Sequence, residues 1–288
     1  MPNLAWLAVL FVALILKIPS PQWLAFSYLF VLSLFFFPRH YVVKKQIVSP
    51  LLPPRKKYWR PMFGYGFPLV LSSIPSTLNL RLDQMLMVTM LPAKTVGYYV
   101  VAVAWSAALS PLINAIGMVL FPYTANARTL EHKTIQLKRG IHATIIVAIS
   151  MSLLVVALTP VAIPFLFGKA FSPAIPAAYI LVAAGFFLSL KRVLQEGIRG
   201  LGVTKLILWG ESAGLIITAV LLFATLPLWG IMGAAITSLV AYGCITAFYL
   251  WRVSLIASCG LSELLLPDKA EWELVKARFN EHMKSFGK

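Results

Sequence analysis

The amino-acid sequence predicts an all-α polytopic membrane protein with about eight transmembrane helices. Three observations predict it. Hydrophobic residues make up 60% of the 288-residue chain and charged residues only 12%, about half the charge of a soluble globule. Apolar stretches long enough, or nearly so, to cross a bilayer fill almost all of it. Nearly all of the 25 Lys and Arg between those stretches fall on one side, leaving only Lys17, Lys94 and Lys169 on the other and Arg81 inside a span.

The spans are expected at Asn3–Ile18, Gln22–Phe37, Met62–Leu91, Gly97–Pro122, Gly140–Phe167, Ala174–Leu190, Leu206–Leu226 and Gly230–Trp251. The first two are short, so flanking residues or local thinning of the bilayer must complete them. Met1-Pro2-Asn3 lacks the positive start of a signal peptide, so Leu4–Ile18 reads as a retained span. The third would reach roughly 45 Å as a straight helix. Pro68 and Pro75 each remove a backbone hydrogen bond, so a kinked or tilted helix is expected there. The connections Arg39–Pro61, Tyr123–Arg139 and Lys191–Lys205 and the tail from Arg252 are basic, which puts both termini in the cytoplasm. The loop Arg39–Pro61, with Pro50, Pro53 and Pro54, reads as a linker that orients the chain and attracts anionic lipid headgroups. The tail helix is expected to start at the cap Asp268 and to align Trp272, Val275, Phe279 and Met283 on one face. It would lie on the inner surface or pack against the ends of the bundle.

The net charge of +16 does not indicate nucleic acid, because no basic domain is large enough to hold one. Cys244 and Cys259 imply no disulfide framework. His40, His132, His142 and His282 lack metal-ligand spacing, and there is no P-loop. No cofactor, metal or catalytic constellation is therefore expected. The outer connections are too short for an extracytoplasmic active site, which weighs against a membrane glycosyltransferase or polymerase.

Charges within the spans are the candidates for function. Arg81 and Asp83 sit in Asn79-Leu80-Arg81-Leu82-Asp83-Gln84. A charge at the bilayer centre costs at least about 2.5–3.5 kcal/mol on insertion scales, so it needs a partner, water or a ligand. Either Arg81 snorkels to the outer interface as part of a compensated pair, or it faces a hydrated cavity and meets an anionic headgroup. A guanidinium suits the latter because its fork matches phosphate oxygens. Asp83 would orient Arg81 or titrate, although residues i and i+2 point about 200° apart on a helix. Glu211, in Gly210-Glu211-Ser212-Ala213-Gly214, is either an interfacial acid paired with Lys205 or Arg199 or a cavity-lining, cation-coupling group. The small residues around it, like those of Gly230-Ile231-Met232-Gly233, permit close helix packing. Lys191, Arg192, Glu196 and Arg199 follow the sixth span and would either ring the inner mouth of a pathway or serve topology alone.

Taken together, Gly64-Tyr65-Gly66-Phe67-Pro68-Leu69, Arg81-Leu82-Asp83-Gln84, Val96-Gly97-Tyr98-Tyr99, Leu120-Phe121-Pro122, Phe167-Gly168 and Leu226-Pro227-Leu228-Trp229-Gly230-Ile231-Met232-Gly233 resemble the oligosaccharide flippases. These are the Wzx-type polysaccharide-biosynthesis transporters of the MATE-like superfamily. The likeness extends across about Met62–Arg252. It implies two six-helix bundles around a central cavity that opens alternately inward and outward. Residues 62–252 would form the second bundle and 1–38 the last two helices of the first, with no counterpart for its first four. Residues 39–61 would be a cytoplasmic linker and 253–288 a cytoplasmic amphipathic tail.

The resemblance further implies a non-enzymatic job, moving polyprenyl-pyrophosphate-linked oligosaccharide across the bacterial plasma membrane. Membrane lipids, a polysaccharide polymerase and glycosyltransferases would be its partners. On that reading Arg81, Asp83, Lys191 and Arg192 bind substrate, and Glu211 and Asp83 are coupling candidates. A cation-coupled exporter of the same superfamily, or a non-transporting scaffold for glycan assembly, are the other expectations.

Overall fold

A computed structural model of the chain describes residues 23, 26–31, 33–34 and 56–266. The chain divides into two compact units, Met1–Tyr58 and Trp59–Lys288. In the first unit, the described residues between Trp23 and Leu34 are helical, and Lys56–Tyr58 form a 3-10 turn. The expected span Asn3–Ile18, most of the linker and the tail helix from Asp268 lie outside the described residues.

The second unit is helical throughout its described length. Its elements are α1 (Trp59–Asn79), α2 (Leu82–Met90), α3 (Ala93–Ser106), α4 (Ser110–Asn126), α5 (Leu130–Phe167), α6 (Ile175–Leu201), α7 (Lys205–Ala257) and α8 (Leu261–Leu265). Three of these, α5, α6 and α7, are long and apolar enough to cross a membrane, and α3 with α4 form a bent pair that qualifies together. Many large apolar side chains are exposed on the surface, Phe165 at 84% and Met118 at 78% among them. Water would penalise such a surface, and acyl chains would not.

Two expected spans are broken rather than continuous. The helix that begins at Trp59 runs through Pro68 and Pro75 and ends at Asn79. Leu80 and Arg81 then close with tight bonds to the carbonyls three residues back, at 3.2 and 3.0 Å, before α2 resumes at Leu82. The interruption thus falls after the prolines, at the charged segment itself. The expected span Gly97–Pro122 likewise divides at Ala107–Leu109, where α3 and α4 bend by 48°.

Two basic connections are mostly helix. α5 starts at Leu130, with the Thr129 hydroxyl capping the His132 amide, and its 38 residues extend about 57 Å. Lys133, Lys138 and Arg139 are therefore on the first turns of a helix that outruns the hydrocarbon. α6 does not end at Leu190 but continues to Leu201, so Lys191 and Arg192 stand inside it. They lie three to four residues past its middle, on the order of 5–6 Å.

α7 is an antiparallel hairpin of two helical arms, 205–229 and 231–257. Gly230, with φ 53° and ψ −131°, makes the reversal in a conformation that a side chain would strain. The Tyr249 hydroxyl donates to the Ile207 carbonyl at 3.1 Å across the arms, and Thr225 and Thr237 hydroxyls meet at 2.9 Å. Gly210 and Gly214 lie under Tyr249 and Ile245, where any Cβ would overlap them. The small residues do what their spacing suggested, letting backbones approach closely. Beyond the hairpin, α8 buries Leu264 and ties back to α5 through Lys138 Nζ to Glu263 Oε2 at 2.9 Å. The hydrogen bond and charge of Lys138 hold the exposed Glu263 carboxyl below its ordinary range. Cys244 and Cys259 are both free thiols.

Packing is layered along the bundle. One apolar cluster joins Leu120, Leu137, Leu194, Ile207, Ile245 and Val253. The other joins Met87, Ala102, Ile163, Ala178, Leu222 and Ala235. Along α6 and both arms of α7, buried polar residues occupy the stretch between the clusters: Ser189, Glu211 and Thr218, Thr237 and Ser238, with Lys191 at the near edge of the first cluster.

The hairpin yields a prediction. A Cβ at Gly233 would overlap the Thr225 carbonyl, a backbone atom that cannot step aside, whereas Gly243 faces open space. Gly233→Ala should destabilise the folded bundle by about 1–3 kcal/mol, while Gly243→Ala should be neutral or stabilising. Thermal unfolding of the detergent-solubilised protein, followed by size-exclusion, checks the pair.

Candidate functional site

Both breaks open onto the same space. A cavity of about 220 Å³ is lined by Leu80, Arg81 and Asp83 at the first break and by Ser106, Ala107 and Ser110 at the second. Ser189 and Arg192 of α6 and Ser238 and Tyr242 of the second arm of α7 add to its polar lining, and Val103, Leu181 and Leu188 are among its apolar walls. An interrupted helix frees backbone groups that need partners, and in a membrane such irregular backbone persists only inside protein or beside water. A larger recess of about 640 Å³ at the α4–α5 turn is lined by exposed residues such as Tyr123 and His132 and gathers no buried charge.

Arg81 occupies the turn between α1 and α2 with φ −130° and ψ −16°, outside regular helix geometry. Its side chain is exposed, and Nη1 donates to Gln84 Oε1 at 3.3 Å. Asp83 turns the other way and is buried. It accepts from the Tyr99 hydroxyl at 2.5 Å and from the Gln84 amide at 2.7 Å. The divergence of residues i and i+2 therefore prevails: Gln84 touches the guanidinium, and Tyr99 holds the carboxylate. Arg192 is half-buried and donates to Asn114 Oδ1 at 3.3 Å. Arg81, Asp83 and Arg192 are thus brought to one cavity from positions more than a hundred residues apart.

Lys191 is not with them. Successive residues on a helix point about 100° apart, and Lys191 faces the interior with 1% of its surface exposed. Its ammonium lies 2.7 Å from Glu211 Oε1 and 5.5 Å from the centre of the Tyr242 ring. The expected inner-mouth position is corrected by the length of α6, which carries this residue into the bundle. Glu211, fully buried, finds Lys191 rather than Lys205 or Arg199. The Gln195 amide donates to the same carboxylate oxygen, and Asn79 Nδ2 lies 3.5 Å from the other. Glu196 and Arg199 pair with each other at 2.7 Å, one turn further along.

Sequence reasoning missed Asn79, Tyr99, Gln195 and Tyr242. Each is neutral and lies close to apolar runs, so neither charge nor hydropathy marks it. Asn79, an amide two residues before Arg81 in the polar segment Ser76–Gln84, carried the one readable signal.

Chemically, the cavity offers two guanidiniums and four serine hydroxyls beside a carboxylate already engaged by a phenol. That set can accept an anionic group with several oxygens. The Lys191–Glu211 pair has no opening to a ligand, and its role is internal. Removing one partner strands a buried charge, at a cost of about 3–5 kcal/mol. Lys191→Met alone should therefore sharply reduce the yield of monodisperse protein. Lys191→Met with Glu211→Gln should restore most of it, as read by size-exclusion of matched preparations.

Comparisons with known proteins agree with this architecture. Residues 4–128 match the family described as polysaccharide biosynthesis protein. An uncharacterized membrane protein of Methanocaldococcus jannaschii is 26% identical over 238 residues, covering 78% of this chain and 46% of that protein. An outward-facing multidrug resistance MATE family transporter of the MOP superfamily superposes with a TM-score of 0.57 at 16% identity, over 73% of this chain and 49% of its own. A MOP superfamily transporter from Pyrococcus furiosus, described as having a binding pocket of reverse polarity that suggests a different function, gives 0.56 at 16% identity, over 73% and 48%. Both solved neighbours are transporters, not enzymes. The chain spans about half the length of each of these relatives. With its apolar helices, its broken spans and these likenesses, the chain is a multi-pass, all-α membrane protein whose fold resembles that of the two solved transporters, and its residues 4–128 match the polysaccharide biosynthesis protein family.

Proposed function

We propose that this chain serves a flippase for polyprenyl-pyrophosphate-linked oligosaccharide, with the bundle of residues 62–252 supplying one wall of the pathway. The observation that carries the reading is the cavity lined by both Arg81 and Arg192 beside two interrupted helices, in the polar layer between two apolar ones. A lipid-linked sugar has a tail that can remain in lipid and an anionic, hydrated head that cannot. Fixed cations on a wet surface lower the cost of passing that head through the core. In this assignment Arg81 and Arg192 receive the diphosphate, Gln84 and Asn114 steady the two guanidiniums, and the serines meet the sugar hydroxyls.

The flippase role implies the bacterial plasma membrane, and the basic residues outside the spans support cytoplasmic termini. Moving Lys191 and Arg192 from a loop to the interior leaves the sense of that asymmetry unchanged. A polysaccharide polymerase and glycosyltransferases are the partners this role calls for.

A second reading draws on Asp83, a buried carboxylate at the cavity wall held by Tyr99. In a cation-coupled exporter Asp83 would be the group that exchanges the cation. Glu211 is a poorer candidate, because Lys191 already neutralises it.

Complementation of a strain lacking surface-polysaccharide export separates these readings. Arg81→Ala and Arg192→Ala should each bring export below about a tenth of the parent level with unchanged membrane expression, as about 2 kcal/mol of lost anion binding implies. Normal export by both variants would falsify the flippase assignment. Asp83→Asn should spare export, and cation-dependent efflux that it abolishes would favour the second reading.

A further inference from the structure

The structure assigns a task to the buried Lys191–Glu211 pair: we propose that it positions Arg81, acting through Asn79. This rests on the reading of the cavity as the substrate site and names what holds that site in shape. Asn79 is the last residue of α1, two before Arg81, and is 3% exposed. Its amide is gripped at both ends by the first arm of α7. Nδ2 lies 3.4 Å from the Glu211 carbonyl and 3.5 Å from Glu211 Oε2, and Oδ1 accepts from the Thr218 hydroxyl at 2.7 Å. A helix end is otherwise the part of a helix most free to fray. Here its last residue is fixed in height and rotation, and the turn that carries Arg81 starts from it.

The other side of the carboxylate belongs to α6. Lys191 and Gln195, one helical turn apart, both bind Glu211 Oε1. Gln195 Nε2 also lies 3.4 Å from the Tyr249 hydroxyl, which bonds the Ile207 carbonyl, so the second arm of α7 is included. Fixing Lys191 fixes the rotation of α6, and with it the direction of its neighbour Arg192. Both guanidiniums of the cavity are therefore registered against one carboxylate that neither of them touches. A buried ion pair adds little stability over an apolar pair of equal volume, and its attested use is to set register. Asn79, Lys191, Gln195 and Glu211 are in this sense positioning residues.

The test replaces Arg81 by Cys in a Cys244→Ala, Cys259→Ala background, so that the reactivity of one thiol reports the geometry at position 81. The protein is held in lipid nanodiscs, and the probe is a trimethylammonium methanethiosulfonate. Three changes are compared: Lys191→Met with Glu211→Gln, Lys191→Met with Glu211→Leu, and Asn79→Leu. Neither double variant leaves a buried charge, but only the first keeps a side-chain acceptor for Asn79 at position 211. Its labelling rate should stay within about twofold of the parent, while the other two should shift by at least about fivefold. A purely structural role would lower the unfolding temperature of the Leu variants without changing that rate. Equal rates in all three would overturn the proposal; should the Leu double variant not fold, Asn79→Leu against the parent decides alone.

Binding of inorganic pyrophosphate to the chain with Arg81 intact is measured separately. The Glu211→Leu double variant should bind about tenfold more weakly than the Glu211→Gln one. If the parent and Arg81→Ala bind pyrophosphate alike, the substrate assignment fails, and the labelling result still stands or falls by itself.

Discussion

Hydrocarbon supplies no hydrogen bonds, and the middle of this bundle is organised around that constraint. Glu211 and Lys191 meet where neither has access to water, and each remaining bond of the carboxylate goes to an amide from another helix. The pair is restrictive because neither partner can be lost alone: a single charge left in that position is costly. α1, α6 and both arms of α7 are held in one arrangement by it. The apolar clusters on either side supply packing, but apolar contacts tolerate sliding that ion pairs and amide bonds do not.

The two interrupted helices belong to the same logic. Backbone freed at Leu80–Arg81 and at Ala107–Leu109 would be costly against lipid and is acceptable beside a polar cavity. The breaks also solve a problem of direction. Interruption lets short segments aim polar groups at a point while the longer helices keep an apolar exterior. Half-helices that meet around a site are a recurrent device of membrane transporters.

Much of this architecture was legible without coordinates. Hydropathy located the helices of the described region, and Leu226–Gly230 was readable as the point where the last two spans reverse. The glycine spacing around Glu211 announced the close approach of the two arms. The lone charges Arg81 and Asp83 pointed to the segment that lines the cavity. Less was legible about ends and partners. Loops drawn at Tyr123–Arg139 and Lys191–Lys205 proved mostly helical, because a basic residue reads as a boundary whether it ends a helix or stands on one. Proline suggested a kink in α1, and the interruption came later, where the turn tightens at Arg81.

What the sequence determined by itself is the solvent: a chain this apolar, with so few charged residues, belongs in a bilayer, and that holds whatever the packing. Tertiary structure alone decided which charges face each other. Lys191 and Arg192 are neighbours in the chain, yet one is sealed against Glu211 and the other lines the cavity with Arg81, more than a hundred positions away. The reason is geometric. A helix sends consecutive side chains about 100° apart, and which of the two directions leads to a partner depends on helices that only folding brings alongside.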